Sequence, residues 1–86
     1  MKVLVSPYFK RKYRKLAKKD RSLSRVLDKK ISLFKRNKNY PSLRLHKLEG
    51  KTEEWSISIK GNLRIIFKYV KEGIYITDIG PHDQVY

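Results

Sequence analysis

His46, Arg64, His82 and Tyr86 are the side chains in this sequence best suited to chemistry on a phosphodiester. His82 and Tyr86 share the run Gly80-Pro81-His82-Asp83-Gln84-Val85-Tyr86. Histidine transfers protons near neutral pH, and tyrosine offers a ring for base stacking or a hydroxyl near a phosphate. Arg64 interrupts the apolar run Leu63 to Val70, where a guanidinium is costly unless it faces solvent or an anion. Together these groups suit RNA cleavage by internal attack of the 2′-hydroxyl. One base takes the 2′ proton, a cation steadies the pentavalent phosphate, and an acid protonates the leaving 5′ oxygen. They suit plain RNA binding equally well. Each also has an ordinary reading: an exposed or structural histidine, a polar-face arginine, an aromatic tucked against the core. Asp83 either orients a histidine or caps a turn. The sequence contains no serine triad, phosphate loop or metal-ligand cluster, and no cysteine.

The charge balance agrees with a polyanion or a strongly acidic protein as partner. The chain of 86 residues carries a formal net charge of +14, and residues 1–48 hold 17 Lys/Arg against Asp20 and Asp28. Residues 49–86 hold 5 Lys/Arg against 6 acids. Lys10, Arg11, Arg14, Lys15 and Lys18 are expected to contact RNA phosphates, with Lys47, Lys51 and Lys68 as further contacts. At this length one domain, residues 1–86, with a modest core is expected. No apolar run approaches the roughly 20 residues of a membrane span, and Met1 to Ser6 is too short for a signal h-region, so a cytoplasmic protein is expected.

The elements that must position these residues follow from periodicity. Lys2 to Ser6 reads as a strand with Val3 and Val5 on one face. Ser6-Pro7 starts a helix, in which Tyr8, Phe9, Tyr13, Leu16 and Ala17 recur at helical spacing. Ser22 caps a second helix whose apolar stripe is Leu23, Val26, Leu27, Ile31 and Phe34, ending at Asn37-Lys38-Asn39-Tyr40-Pro41. Leu43, Leu45 and Leu48 lead into a turn at Glu49-Gly50-Lys51. Trp55/Ile57/Ile59, then Leu63/Ile65/Phe67/Tyr69, then Ile74 to Ile79 give three antiparallel strands. The fold class is α+β: an N-terminal strand, a basic helical hairpin, and a three-stranded meander completing one sheet with the helices on one face.

Matching apolar faces sets a register. Ile59 is expected opposite Leu63 across a three-residue loop, Lys60-Gly61-Asn62, with Asn62 tolerant of the left-handed region. Ser58 then lies opposite Arg64. A turn at Glu72-Gly73 puts Tyr69 opposite Ile76 and Ile65 near Gly80, which brings His82 within about 10 Å of Arg64. The face carrying Ser58, Arg64 and Lys68 is expected to stay open for function.

Four segments carry a family resemblance: Pro-Ser-Leu-Arg-Leu-His-Lys-Leu-Glu-Gly, Trp-Ser-Ile-Ser-Ile, Asn-Leu-Arg-Ile-Ile-Phe and Asp-Ile-Gly-Pro-His-Asp-Gln-Val-Tyr. In this order they resemble the RelE/ParE superfamily of type II toxins, nearest its YafQ-like and plasmid-stabilisation branch. The resemblance implies a ribosome-dependent mRNA endonuclease without a cofactor. It also implies an acidic antitoxin as partner in a toxin–antitoxin hetero-oligomer. His46 falls on the histidine of the family's His-x-Leu-x-Gly pattern, Arg64 on the third-strand arginine, and His82 on the histidine after the last strand. Tyr86 lies near a terminal aromatic. Ser58 and Asn62 stand where the YafQ-like branch carries a second catalytic histidine and an aspartate. The superfamily also contains ParE-type members that poison DNA gyrase without cutting RNA. A stand-alone RNA- or ribosome-binding protein is the third reading.

Overall fold

The structure is a computed structural model that describes residues 1–50 and 53–85, leaving aside the side chains of Asp83 and Gln84. In chain order the elements are β1 (Lys2–Val5), α1 (Pro7–Lys19), α2 (Leu23–Arg36), a 3-10 turn (Pro41–Leu43), β2 (His46–Lys47), β3 (Trp55–Lys60), β4 (Leu63–Val70), β5 (Gly73–Pro81) and α3 (His82–Val85). The strands form one sheet in the order β1-β5-β4-β3-β2, with β1 parallel to β5 and the other neighbours antiparallel. The α+β class expected from periodicity is the one observed. No helix among the described residues is long and apolar enough to cross a membrane.

Ser6 does what its type suggests. Its hydroxyl accepts from the Phe9 N–H at 3.0 Å and donates to the Thr77 carbonyl at 3.2 Å. One side chain thus caps α1, worth about 1 kcal/mol, and ties the helix start to β5. Ser22, by contrast, makes no capping hydrogen bond with its side chain. The Asp20 carboxylate takes over the turn, accepting from Ser22 N at 3.0 Å and Ser22 Oγ at 2.7 Å. Lys60 Nζ donates to the other Asp20 oxygen at 2.7 Å, joining the β3–β4 hairpin to the α1–α2 turn.

The Lys60 hydrogen bond, followed by those from Ser22, lowers the Asp20 pKa from 3.8 to about 2. A depressed carboxylate stabilises the fold fully above its unfolded value and loses that contribution as pH falls through its folded value. Acid titration of wild type is therefore expected to lose a stabilising contribution between about pH 4 and 2 that Asp20→Asn lacks. Urea midpoints across that window check this. Parallel pH curves for the two proteins would overturn it.

The core lies between the helices and one sheet face. Phe9, Leu23, Phe34 and Leu43 pack with Ile57, Ile59, Ile65, Phe67, Ile74, Ile76 and Ile79, all nearly excluded from solvent. Phe34 meets Phe67 edge-on at 5.4 Å, and Trp55 meets Tyr69 likewise at 5.6 Å. Burial pushes the Tyr69 hydroxyl above its ordinary pKa. Val26, Leu27 and Ile31, expected in the α2 core stripe, are partly buried and pack against this cluster.

The strand register departs from expectation at two bulges. In the first hairpin Lys60, not Ile59, pairs with Leu63, and Ile59 is accommodated by a register shift. The turn is the pair Gly61-Asn62. Gly61, at φ +57°, takes the left-handed position, and Asn62 does not. Only glycine occupies that region without steric cost. Ser58 pairs with Arg64 as expected. In the second hairpin Val70 pairs with Gly73, so the turn is Lys71-Glu72 and Tyr69 faces Ile74 rather than Ile76. Ile66 pairs with Asp78 while Phe67 pairs with Ile76, so Thr77 is the extra residue of a β-bulge. The bulge recovers most of the difference: Ile65 pairs with Ile79, and Arg64 with Gly80.

The face away from the helices is not open where it matters. Ser56, Ser58, Arg64 and Ile66 are all buried there, with Arg64 only 9% exposed. Leu48, two residues past His46, is also buried, and neither Leu48 nor Ile66 belongs to the main core cluster. The middle of this face is therefore largely excluded from solvent. α3 packs against β4 and β5.

Candidate active site

The site is built on the β3–β4–β5 ladder. Arg64 sits on β4 between Ser58 of β3 and Gly80 of β5, its direct cross-strand partners. Cross-strand partners share a face, so Ser58 and Arg64 project together on the side opposite the helices. Gly80 adds no side chain beside the guanidinium. One repeat along, Ser56 and Ile66 pair, and β2 places His46 opposite Ser56. His46 therefore occupies the same face as Arg64. Two strand spacings and one side-chain repeat put their Cα atoms about 12 Å apart, a gap that two side chains and one phosphate fill.

His82 enters from the end of the sheet. Pro81 pairs with Leu63, and the His82 N–H donates to the Asn62 carbonyl at 2.9 Å. His82 is thereby held two residues beyond Gly80, at the end of β4 that carries Arg64, and it is exposed. The register thus brings His82 and Arg64 to one end of the sheet, as the hairpin geometry predicts. Ser58 is buried beside Arg64. Asn62 is exposed in the hairpin turn, its carbonyl holding His82.

His46 has a device that sequence reading misses. Arg44 is in the left-handed region, at φ 48° and ψ 47°, and its carbonyl lies 3.2 Å from His46 Nδ1. A carbonyl can only accept, so Nδ1 carries the proton in this contact. In the neutral ring Nε2 is then the basic nitrogen. The left-handed conformation costs a non-glycine residue about 1–2 kcal/mol, and it aims that carbonyl back at the ring. Arg44→Gly is expected to keep the contact and gain stability, whereas Arg44→Val is expected to lose both. Nitrogen-15 shifts of His46 read the tautomer directly. An unchanged ring in Arg44→Val would refute the coupling.

The remaining sequence-predicted residues fall into separate groups. Lys68 shares the Arg64 face but stands about 13 Å further along β4, and it is exposed. Lys47 faces the other way from His46, opposite Trp55. Lys10, Arg11, Arg14, Lys15 and Lys18 are exposed on α1, in the layer on the far side of the sheet from Arg64. Their distribution makes a second cationic surface rather than a wall of the site. Lys12 turns inward instead and pairs with Asp78 at 2.6 Å, bracing α1 against the β5 bulge. Lys51 and Tyr86 lie outside the described residues, as does the side chain of Asp83.

No protein-family model matches this sequence, and no curated protein sequence matches it. Solved structures do match in shape. A copper-bound mutant toxin from Helicobacter pylori superposes with a TM-score of 0.83 at 21% identity, covering 100% of this chain and 99% of that one. The DinJ–YafQ complex of E. coli matches at 0.71 and 19%, over 99% and 97%. The YoeB–YefM complex of Staphylococcus aureus matches at 0.76 and 17%, over 95% and 97%. Each superposition covers nearly the whole of both chains, so the chain has the α+β fold of these toxins, the RelE-like fold.

Proposed function

We propose that this protein is the toxin of a type II toxin–antitoxin pair that cleaves mRNA in the ribosome and so halts translation. The observation that carries the proposal is the buried Arg64 beside Ser58 and Gly80, with His46 on the same face and His82 at the same end of the sheet. A guanidinium in a largely dry site interacts with a phosphate more strongly than one in water.

In the proposed reaction His46 Nε2 takes the proton of the 2′-hydroxyl. The 2′ oxygen attacks phosphorus, forming a 2′,3′-cyclic phosphate as the bond from phosphorus to the 5′ oxygen breaks. Protonated His82 supplies the proton that leaves with the 5′-hydroxyl. Arg64 holds the nonbridging oxygens as charge develops on them. Tyr86 stacks on a base next to the cut. The cations of α1, with Lys47, Lys51 and Lys68, hold ribosomal and messenger phosphates. No cofactor takes part. The partner that restrains the toxin is an acidic antitoxin. The toxin-fold chains of the DinJ–YafQ and YoeB–YefM complexes support a partnered state, since each was solved with a second protein.

Primer extension on total RNA after a short induction tests this. Wild type is expected to give new ends inside translated codons, and His82→Ala is expected to remove them. Intact mRNA with blocked supercoiling would instead favour a gyrase poison. Tight, salt-sensitive ribosome binding without toxicity would favour a binding protein.

A further inference from the structure

Tyr8 stands apart from the other aromatic residues of α1. Its spacing groups it with Phe9, Tyr13, Leu16 and Ala17. Yet Phe9 is buried, Tyr13 packs against the core, and Tyr8 is 50% exposed. Its ring keeps cationic company instead. Lys12 Nζ lies 5.2 Å from the ring centroid and the Arg11 guanidinium 6.0 Å. α1 itself contains no acid. At roughly 3.6 residues per turn, Lys15 and Lys19 fall about 20° to either side of Tyr8 around the axis, and Lys19 stands about 16 Å along it. Both lysines are exposed. One stripe of α1 therefore begins with an aromatic ring and continues as cations about one turn apart.

The two cations at the ring differ. Lys12 is held by Asp78 of β5 at 2.6 Å, so it stays beside the ring and fixes one side of it. Arg11 is exposed and sits at the outer limit of a cation–π contact. It can swing towards a phosphate and leave its place to a flat group. A ring already held in position loses less freedom when a ligand stacks on it. The flat group that arrives with phosphates at its side is a nucleobase. A base in a duplex is already stacked on its neighbours, so the base at Tyr8 has to be unpaired. An acidic peptide would satisfy the cations and leave the ring without a planar partner. A message held at Arg64 lies on the other side of the sheet, so the strand at Tyr8 is a different stretch of RNA.

We propose that Tyr8 stacks on an unpaired base of a structured RNA, while Arg11, Lys15 and Lys19 hold phosphates of the same strand. This rests on the reading that the cations of α1 face RNA. It turns a charged surface into a site that distinguishes unpaired from paired nucleotides.

The test uses the full chain and a dye-labelled RNA hairpin with one bulged adenosine, with binding followed by fluorescence anisotropy. Wild type is expected to bind it at least about fivefold more tightly than the same hairpin with an abasic bulge or with no bulge. That comparison needs no variant, so it stands whatever the stability of the substituted proteins. Tyr8→Ala is expected to lose the preference and to bind the bulged hairpin at least about fivefold more weakly, while Tyr8→Phe keeps both. Salt separates ring from charge: Arg11→Gln is expected to lower the slope of log affinity against log salt by about one, and Tyr8→Ala to leave it unchanged. Equal binding of the bulged and abasic hairpins, a folded Tyr8→Ala protein indistinguishable from wild type, or Tyr8→Phe as weak as Tyr8→Ala would overturn the stacking site. So would a polyglutamate peptide that competes as well as the hairpin at equal charge, or a DNA hairpin of the same sequence bound more tightly. Primer extension on wild type reports the nuclease reading separately. Base-selective binding without new message ends keeps this site and removes the nuclease, and new ends without base selectivity do the reverse.

Discussion

Arg64→Lys is expected to lower RNA cleavage by about 10²–10³-fold and to abolish growth arrest, while the fold survives. Lysine keeps the charge and most of the stem. It loses the planar fork that holds two phosphate oxygens at once. Arg64 is 9% exposed and flanked by Ser58 and Gly80, so little water is at hand to take the fork's place. A point charge on a flexible stem then has to find the phosphate without fixed geometry. Arg64→Gln removes the charge as well and is expected to fall further. The measurement is single-turnover cleavage of a short ribosome-bound message, with thermal unfolding run on each variant. If the lysine and glutamine proteins both cut at the wild-type rate, Arg64 does not touch the phosphate. If the thermal midpoint collapses instead, the residue's role is structural.

Gly73→Ala is expected to be the most damaging single-methyl change for stability. A Cβ at Gly73 would lie 2.0 Å from the Lys2 carbonyl oxygen and 2.7 Å from the Lys2 nitrogen. Both are backbone atoms of the strand that pairs there, so no rotamer change relieves the overlap. Either β1 moves away from β5 or the β4–β5 turn distorts. Overpacking of this kind costs about 3 kcal/mol, and the midpoint of a domain this size falls by roughly 10–20 °C. Gly61→Ala is the comparison. Nothing lies within 4 Å of its Cβ, so only the strain of φ +57° remains, about 1–2 kcal/mol. Equal losses at both glycines would show that β1 pairing contributes little.

Periodicity exposes some of this architecture and hides the rest. The Ser6-Pro7 start, the Leu23/Val26/Leu27/Ile31/Phe34 stripe and the Ser58–Arg64 pairing follow from local pattern, and each reflects a strong local preference. The β5 bulge was written in the sequence as well: Ile74, Ile76 and Ile79 all face the core although the spacing changes from two to three. A strand can keep all three inward only by inserting a residue, which is Thr77. β2 is two residues long and shows no period of its own. It exists because the edge of β3 offers hydrogen bonds opposite Trp55 and Ser56. The burial of Arg64 was invisible for a similar reason, because it arises from tertiary folding rather than from sequence spacing. The candidate site was legible as residue types. Its geometry was not, since the left-handed Arg44 that aims a carbonyl at His46 leaves no compositional mark. Likewise, the cations of α1 are conspicuous in the sequence, yet only the layer arrangement separates them from Arg64.

The parallel pairing of β1 with β5 has a consequence in time. Ser6 binds Thr77, 71 residues later, and among the described residues β1 has no neighbour in the sheet other than β5. At about 5–20 residues per second, the first strand waits roughly 4–14 s for its partner to be synthesised. During that interval Val3, Leu4 and Val5 have no sheet to join, and the bulge that sets Gly80 opposite Arg64 does not exist. The nascent chain therefore carries the cations of its helices and His46 before Gly80 and His82 exist, and the sheet is complete only when β1 docks on β5.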